Sequence, residues 1–211
     1  MLSSIIASLD RVEMVNYAFE IEWICRLLSL RKIESDAAVA MVRMLVDHKL
    51  YQTMMGRDVN FRFSDRSSVF RDSNPWRYFK RIFQEGDMAI PQKIKEEKPI
   101  LNLTTHDLLS VSDPIISGLE ASVVLIEVVR HPLYMIKQQY LNIVRLIDNP
   151  RDIQICIEYK GRQLPYFANG WEEKFINSND MEKAVFSIQV MEKASETKRR
   201  VWLDDVGLSI I

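Results

Sequence analysis

Glycine is scarce in this sequence, with six among 211 residues and none before Gly56. No glycine-rich Walker loop followed by lysine and serine or threonine occurs, which argues against a kinase-like phosphate enzyme. Cysteine is nearly absent too. Cys25 and Cys156 each sit in an apolar run, and neither belongs to a Cys-x-x-Cys pair. Two such residues make neither a disulfide framework nor a zinc site, and both are expected as reduced core residues. No His, Cys and carboxylate cluster has metal-ligand spacing, so no metal is expected. No apolar run reaches the ~18 residues of a membrane span. Met1 to Leu9 lacks the basic leader of a signal peptide. Excess charge is also missing: 28 Lys and Arg face 29 Asp and Glu, for a net charge of −1. Without a global positive field, a nucleic-acid partner is not expected. These absences predict a soluble protein, with the cytoplasm as its expected location.

What is present alternates between helical and strand-like patterns. Leu2–Leu9 reads as a short helix, Arg11–Tyr17 as a short strand and Phe19–Ile33 as a helix. Ser35 and Asp36 supply side-chain oxygens for the open N–H groups of a helix start. Val39, Val42, Val46 and Leu50 then recur at helical spacing, and Gly56 is the expected stop. Residues 59–71 read as loop. Asn74-Pro75 opens a further helix with Trp76, Phe79, Ile82 and Phe83 on one side, since proline suits a first helical turn.

The centre is more apolar. Ile100–Thr104 is a short strand-like run, and Asp113-Pro114 opens a helix through Glu120. Ser122–Arg130 (SVVLIEVVR) is almost continuously apolar and β-branched, the pattern of a parallel strand covered on both faces. A helix follows from Pro132, with Ile136, Tyr140, Ile143, Val144 and Ile147. Asp152–Phe167 reads as a hairpin around Lys160-Gly161. Asp180–Ser195 reads as a helix with a stripe of Met181, Ala184, Val185, Ile188 and Met191. Lys198-Arg199-Arg200 reads as its solvated end, and the remaining tail is ambiguous. The alternation predicts an α/β fold.

The most informative run is VVLIEVVRHPLYMIKQQYLN, Val123–Asn142. A strand ending in Arg130 before a helix start would place a planar cation beside open N–H groups, which suits an anion. This run resembles the 3′-phosphate-binding motif of sulfotransferases that use 3′-phosphoadenosine 5′-phosphosulfate. Arg130-His131-Pro132 stands where that family has Arg-Asp-Pro, and Gln138 stands eight positions on, where the family has serine. Upstream, ILNLTTHDLL (Ile100–Leu109) resembles the family's strand ending in Lys-Thr-His, with Thr104 in place of the lysine.

The resemblance implies a P-loop-NTPase-like parallel sheet flanked by helices, in one domain over residues 1–211. That domain would lack the first strand and the phosphosulfate loop, and would be incomplete at both ends. It also implies roles. His106 would be the general base on the acceptor, Arg130 and Gln138 would hold the nucleotide 3′-phosphate, and 3′-phosphoadenosine 5′-phosphosulfate would be the co-substrate. The acceptor would carry a hydroxyl or amine on a small molecule, lipid, saccharide or protein tyrosine. The chain by itself would be inactive, and no oligomeric state is implied. The alternative is a catalytically inactive sulfotransferase-like module, whose aromatic and methionine residues before Gly86 could serve a partner. Core packing explains those residues better.

Overall fold

The computed structural model describes residues 2–65, 67–106, 108–146 and 155–205. They fall into two units, one of Met1–Glu22 with Val39–His106, the other of Trp23–Ala38 with Asp107–Ile211. The fold is mixed α/β.

In the first unit, α1 (Leu2–Ala7) lies against β1 (Val12–Tyr17). The next helix, α2 (Phe19–Ser29), has residues in both units and ends four residues short of the predicted Ile33. Lys32 N–H donates to the Leu27 carbonyl and Arg31 N–H to that of Leu28, closing the helix with Arg31 in the left-handed region at φ 54. α3 (Ser35–Met54), which also has residues in both units, starts at the predicted cap, where Asp36 Oδ1 accepts from Ala37 N–H at 2.7 Å, and it stops just before Gly56 at φ 75. α4 (Pro75–Ile82), α5 (Ile90–Glu97) and β2 (Ile100–Thr104) complete the unit. β1 and β2 run parallel, pairing Val15 with Asn102, Asn16 with Leu103 and Tyr17 with Thr104.

A buried carboxylate sets the packing of α4. Glu13 on β1 is 1% exposed. It takes two hydrogen bonds from the Arg81 guanidinium, at 2.7 and 2.8 Å. Burial alone would weaken the Arg81 charge, but the Glu13 carboxylate more than offsets this and holds its pKa above the ordinary value. Beside them, the buried Tyr78 hydroxyl accepts from Met14 N–H and from Arg77 Nη2, both at 2.6 Å. Tyr78, Met14 and Val69 form a small core with Val59 and Phe79. Tyr78 and Arg81 therefore turn inward, while Trp76, Ile82 and Phe83 are exposed. The apolar stripe written on α4 is not its buried face, because the strand carboxylate and backbone N–H must be satisfied first.

In the second unit, α6 is Asp113–Leu119 and α7 is Pro132–Leu146. The strands β3 (Cys156–Tyr159) and β4 (Arg162–Pro165) follow, then α8 (Glu172–Asn177) and α9 (Asp180–Asp205). β3 and β4 form the predicted antiparallel hairpin. Lys160 and Gly161 both take positive φ at its turn, as two-residue hairpin turns require. Ile157, Leu164, Ala168 and Phe175 pack beneath it with Leu30 and Trp171. α7 packs along α9, where Gln139 Nε2 donates to Ser187 Oγ at 3.0 Å. Cys25 is buried, whereas Cys156 is exposed and is no core residue.

Two expectations are corrected here. The run 122–130 forms no strand. After Val123 it is irregular, and Val124 is 86% exposed and Val128 60%. Among the described residues no backbone ladder pairs with it, and the ion pair of Glu127 with Arg199, at 2.6 Å, ties it to α9 instead. The basic run 198–200 lies inside α9 rather than at its end. Lys198 meets Asp113 and Arg199 meets Glu127 and Glu192, so these cations are partnered within the unit. Ile147, Asp152 and residues 206–211 lie outside the described residues. Among the described residues, no helix is long and apolar enough to cross a membrane.

Candidate active site at the carboxyl ends of the parallel strands

β1 ends at Tyr17 and β2 at Thr104, side by side. Ala18 N–H donates to the Thr104 carbonyl at 3.1 Å, so the ladder continues one step into the start of α2. This brings three residues around His106, which lies two positions past β2. Phe19 opens α2 and stacks on the imidazole, with centroids 5.5 Å apart and planes at 14°. Tyr17 also stacks on Phe19, at 6.1 Å and 11°. Glu22, in the first turn of α2, is nearly buried.

Glu22 holds His106 twice. Its Oε2 accepts from His106 N–H at 3.1 Å and lies 3.5 Å from Nδ1. The imidazole itself is 64% exposed. The Glu22 carboxylate, through this side-chain contact, raises the His106 pKa above 6.5 against a weaker opposing effect of burial. With Nδ1 turned to the carboxylate, the neutral tautomer leaves Nε2 as the proton acceptor. A carboxylate orienting a solvent-accessible histidine is an arrangement suited to general-base work.

Arg130 and Gln138 belong to the second unit. Arg130 is exposed, in the irregular segment ahead of α7, and does not end a strand as predicted. The start of α7 is capped by His131, whose Nδ1 accepts from Leu133 N–H at 3.3 Å. Gln138 is exposed on α7 and donates to Asn142 Oδ1 at 3.0 Å. The sequence pointed to His106 but not to Glu22, Phe19 or Tyr17. The available signal was modest: two acidic residues in the first turn of a helix that directly follows a strand.

A second feature of the first unit is a cavity of about 230 Å³ lined by Asn74, Trp76, Arg77, Lys80, Gln84 and Glu97, with Met54 and Arg81 beneath. Neither His106 nor Glu22 lines it. Comparison with protein-family models, with curated proteins and with solved structures gives no match to this chain.

Proposed function

We propose that this chain is part of a sulfotransferase that uses 3′-phosphoadenosine 5′-phosphosulfate. The observation that carries the reading is His106 held by Glu22 at the carboxyl ends of two parallel strands. The supporting argument is the ordered match of Ile100–Leu109 and Val123–Asn142 to that family's motifs. On this reading β1 and β2 belong to a P-loop-NTPase-like sheet, and the protein acts in the cytoplasm. His106 Nε2 takes the proton of the acceptor hydroxyl or amine as that atom bonds to sulfur. The sulfur–oxygen bond to the phosphate breaks, and the electron pair leaves with 3′-phosphoadenosine 5′-phosphate. Arg130, exposed ahead of the α7 N-terminus, grips the 3′-phosphate, and Gln138 releases Asn142 to donate beside it.

The test is calorimetry with 3′-phosphoadenosine 5′-phosphate. Arg130→Ala should weaken binding by roughly 2–5 kcal/mol, the range for truncating one partner of a desolvated charge pair. Equal affinity in the variant would remove Arg130 from the site. No binding of this nucleotide by the unaltered chain would count against the donor assignment.

A further inference from the structure

Residues 61–84 combine two features in one stretch. They hold seven aromatic residues, and six basic residues against two acidic ones, in a chain whose net charge is −1. The structure gathers most of the rings into one surface cluster. Phe61 meets Phe79 at 5.5 Å, Phe63 meets Phe70 at 5.4 Å, Phe70 meets Phe79 at 5.8 Å, and Trp76 meets Phe79 at 5.7 Å. On α4 the inward Tyr78 and Arg81 leave Trp76 and Lys80 on the opposite side, with Phe83 exposed at the helix end and Phe79 bridging the core and the surface rings. Phe63 is 72% exposed, Trp76 71% and Phe83 87%. An apolar cluster of this size on a surface marks an interaction site.

The charges say what kind. Arg62, Arg71 and Lys80 are exposed. Among the described residues none of their side chains has a hydrogen-bond or ion-pair partner. Of the two acidic residues of the segment, Asp65 accepts from Asn60 Nδ2 and Asp72 from Asn74 N–H. Lys80 and Trp76 also line the 230 Å³ cavity with Asn74 and Arg77. Glu97 offsets one positive charge there, and the buried Arg77 Nε has no hydrogen-bond partner.

We propose that this face is a peripheral docking surface for an anionic phospholipid bilayer. Phe63, Trp76 and Phe83 enter the headgroup boundary, Arg62, Arg71 and Lys80 meet the phosphates, and the cavity seats one headgroup. Exposed aromatic side chains beside lysine and arginine are the composition that binds at a membrane interface without spanning it. A second copy of the chain fits less well, because a two-fold contact would set the same three cations against themselves. A single-stranded nucleic acid needs flat, open ring faces for its bases, whereas these rings meet each other at 54–57°.

The experiment is co-sedimentation of the full chain with vesicles of phosphatidylcholine alone or mixed with phosphatidylserine. Binding is expected on the mixed vesicles, weakening as salt rises. Lys80→Gln and Arg71→Gln should each weaken it about fivefold. The triple variant Phe63→Ser, Trp76→Ser, Phe83→Ser should abolish measurable binding while its circular dichroism stays native. Brominated acyl chains should quench tryptophan fluorescence, and Trp76→Phe should remove that quench. Absence of binding, equal binding to neutral vesicles, or full competition by inorganic phosphate overturns the proposal. So does capture of a single-stranded oligonucleotide without capture of vesicles.

Discussion

Two carboxylates nine residues apart, Glu13 on β1 and Glu22 on α2, are both nearly removed from solvent, and each meets a basic group from a distant part of the chain. Glu13 faces Arg81, itself buried, through two short hydrogen bonds. Glu22 faces His106 through one backbone bond and a looser 3.5 Å approach to an imidazole open to solvent. In the first pair both groups are enclosed and the guanidinium keeps its proton, so it joins strand to helix. The second pair keeps its acid buried and its base exposed, and an imidazole changes charge near neutrality. The two pairs differ in that one buries both partners and the other only the carboxylate.

Removing Arg81 should therefore have the largest effect. Arg81→Met leaves Glu13 enclosed without its two short hydrogen bonds, with Arg77 Nη1 3.8 Å away as the remaining cation among the described residues, and should cost about 3–5 kcal/mol in chemical denaturation. Adding Glu13→Gln to that variant should restore much of the loss, since the stranded charge rather than the missing contact is the main cost. A loss below about 1 kcal/mol in Arg81→Met would show that water reaches the pair. Tyr78→Phe ranks second. It strands the Met14 N–H and one Arg77 donor, and should cost about 1–3 kcal/mol. Burial, reinforced by the Glu13 carboxylate, pushes the Tyr78 phenol far above its ordinary range. The measured loss should accordingly be flat from about pH 6 to about pH 9, below the range in which a phenol titrates.

The elements that were legible in the sequence are those whose signals are local. The α3 cap at Ser35-Asp36, its stop before Gly56, and the Lys160-Gly161 turn depend on a few adjacent residues, and each is found where the sequence puts it. The partners of Glu13 and Glu22 depend on contacts 68 and 84 residues away, and no local pattern announces them. The same limit explains the misread stripes. Trp76 and Phe83 share a helical face, but the buried face of α4 is chosen by Glu13 and Met14 on another element. The run 122–130 has the composition of an enclosed strand, yet composition cannot supply the neighbouring backbone that makes a strand. His106 was singled out through a resemblance to a family motif, and the structure places it, exposed, beside Glu22.

The smallest expected effect on stability, and the most informative one for chemistry, comes from Glu22→Gln. The amide keeps an oxygen for the His106 backbone N–H but removes the charge beside Nδ1. Because that carboxylate raises the His106 pKa, the variant's imidazole should titrate lower, which proton NMR of the ring measures directly. The stability consequence has a definite sign. A raised folded pKa contributes stability that is fully present below the unfolded value near ~6.5 and is lost as pH rises through the folded value. Wild type should thus exceed Glu22→Gln by more at about pH 6 than at about pH 9, and, with the imidazole mostly exposed, by no more than roughly 1 kcal/mol. Any reaction that uses His106 as a base should begin at lower pH in the variant, since the free imidazole appears earlier, but with a weaker base. An unchanged imidazole titration in Glu22→Gln would mean that the 3.5 Å approach carries no electrostatic weight, and that His106 and Glu22 do not act as a pair.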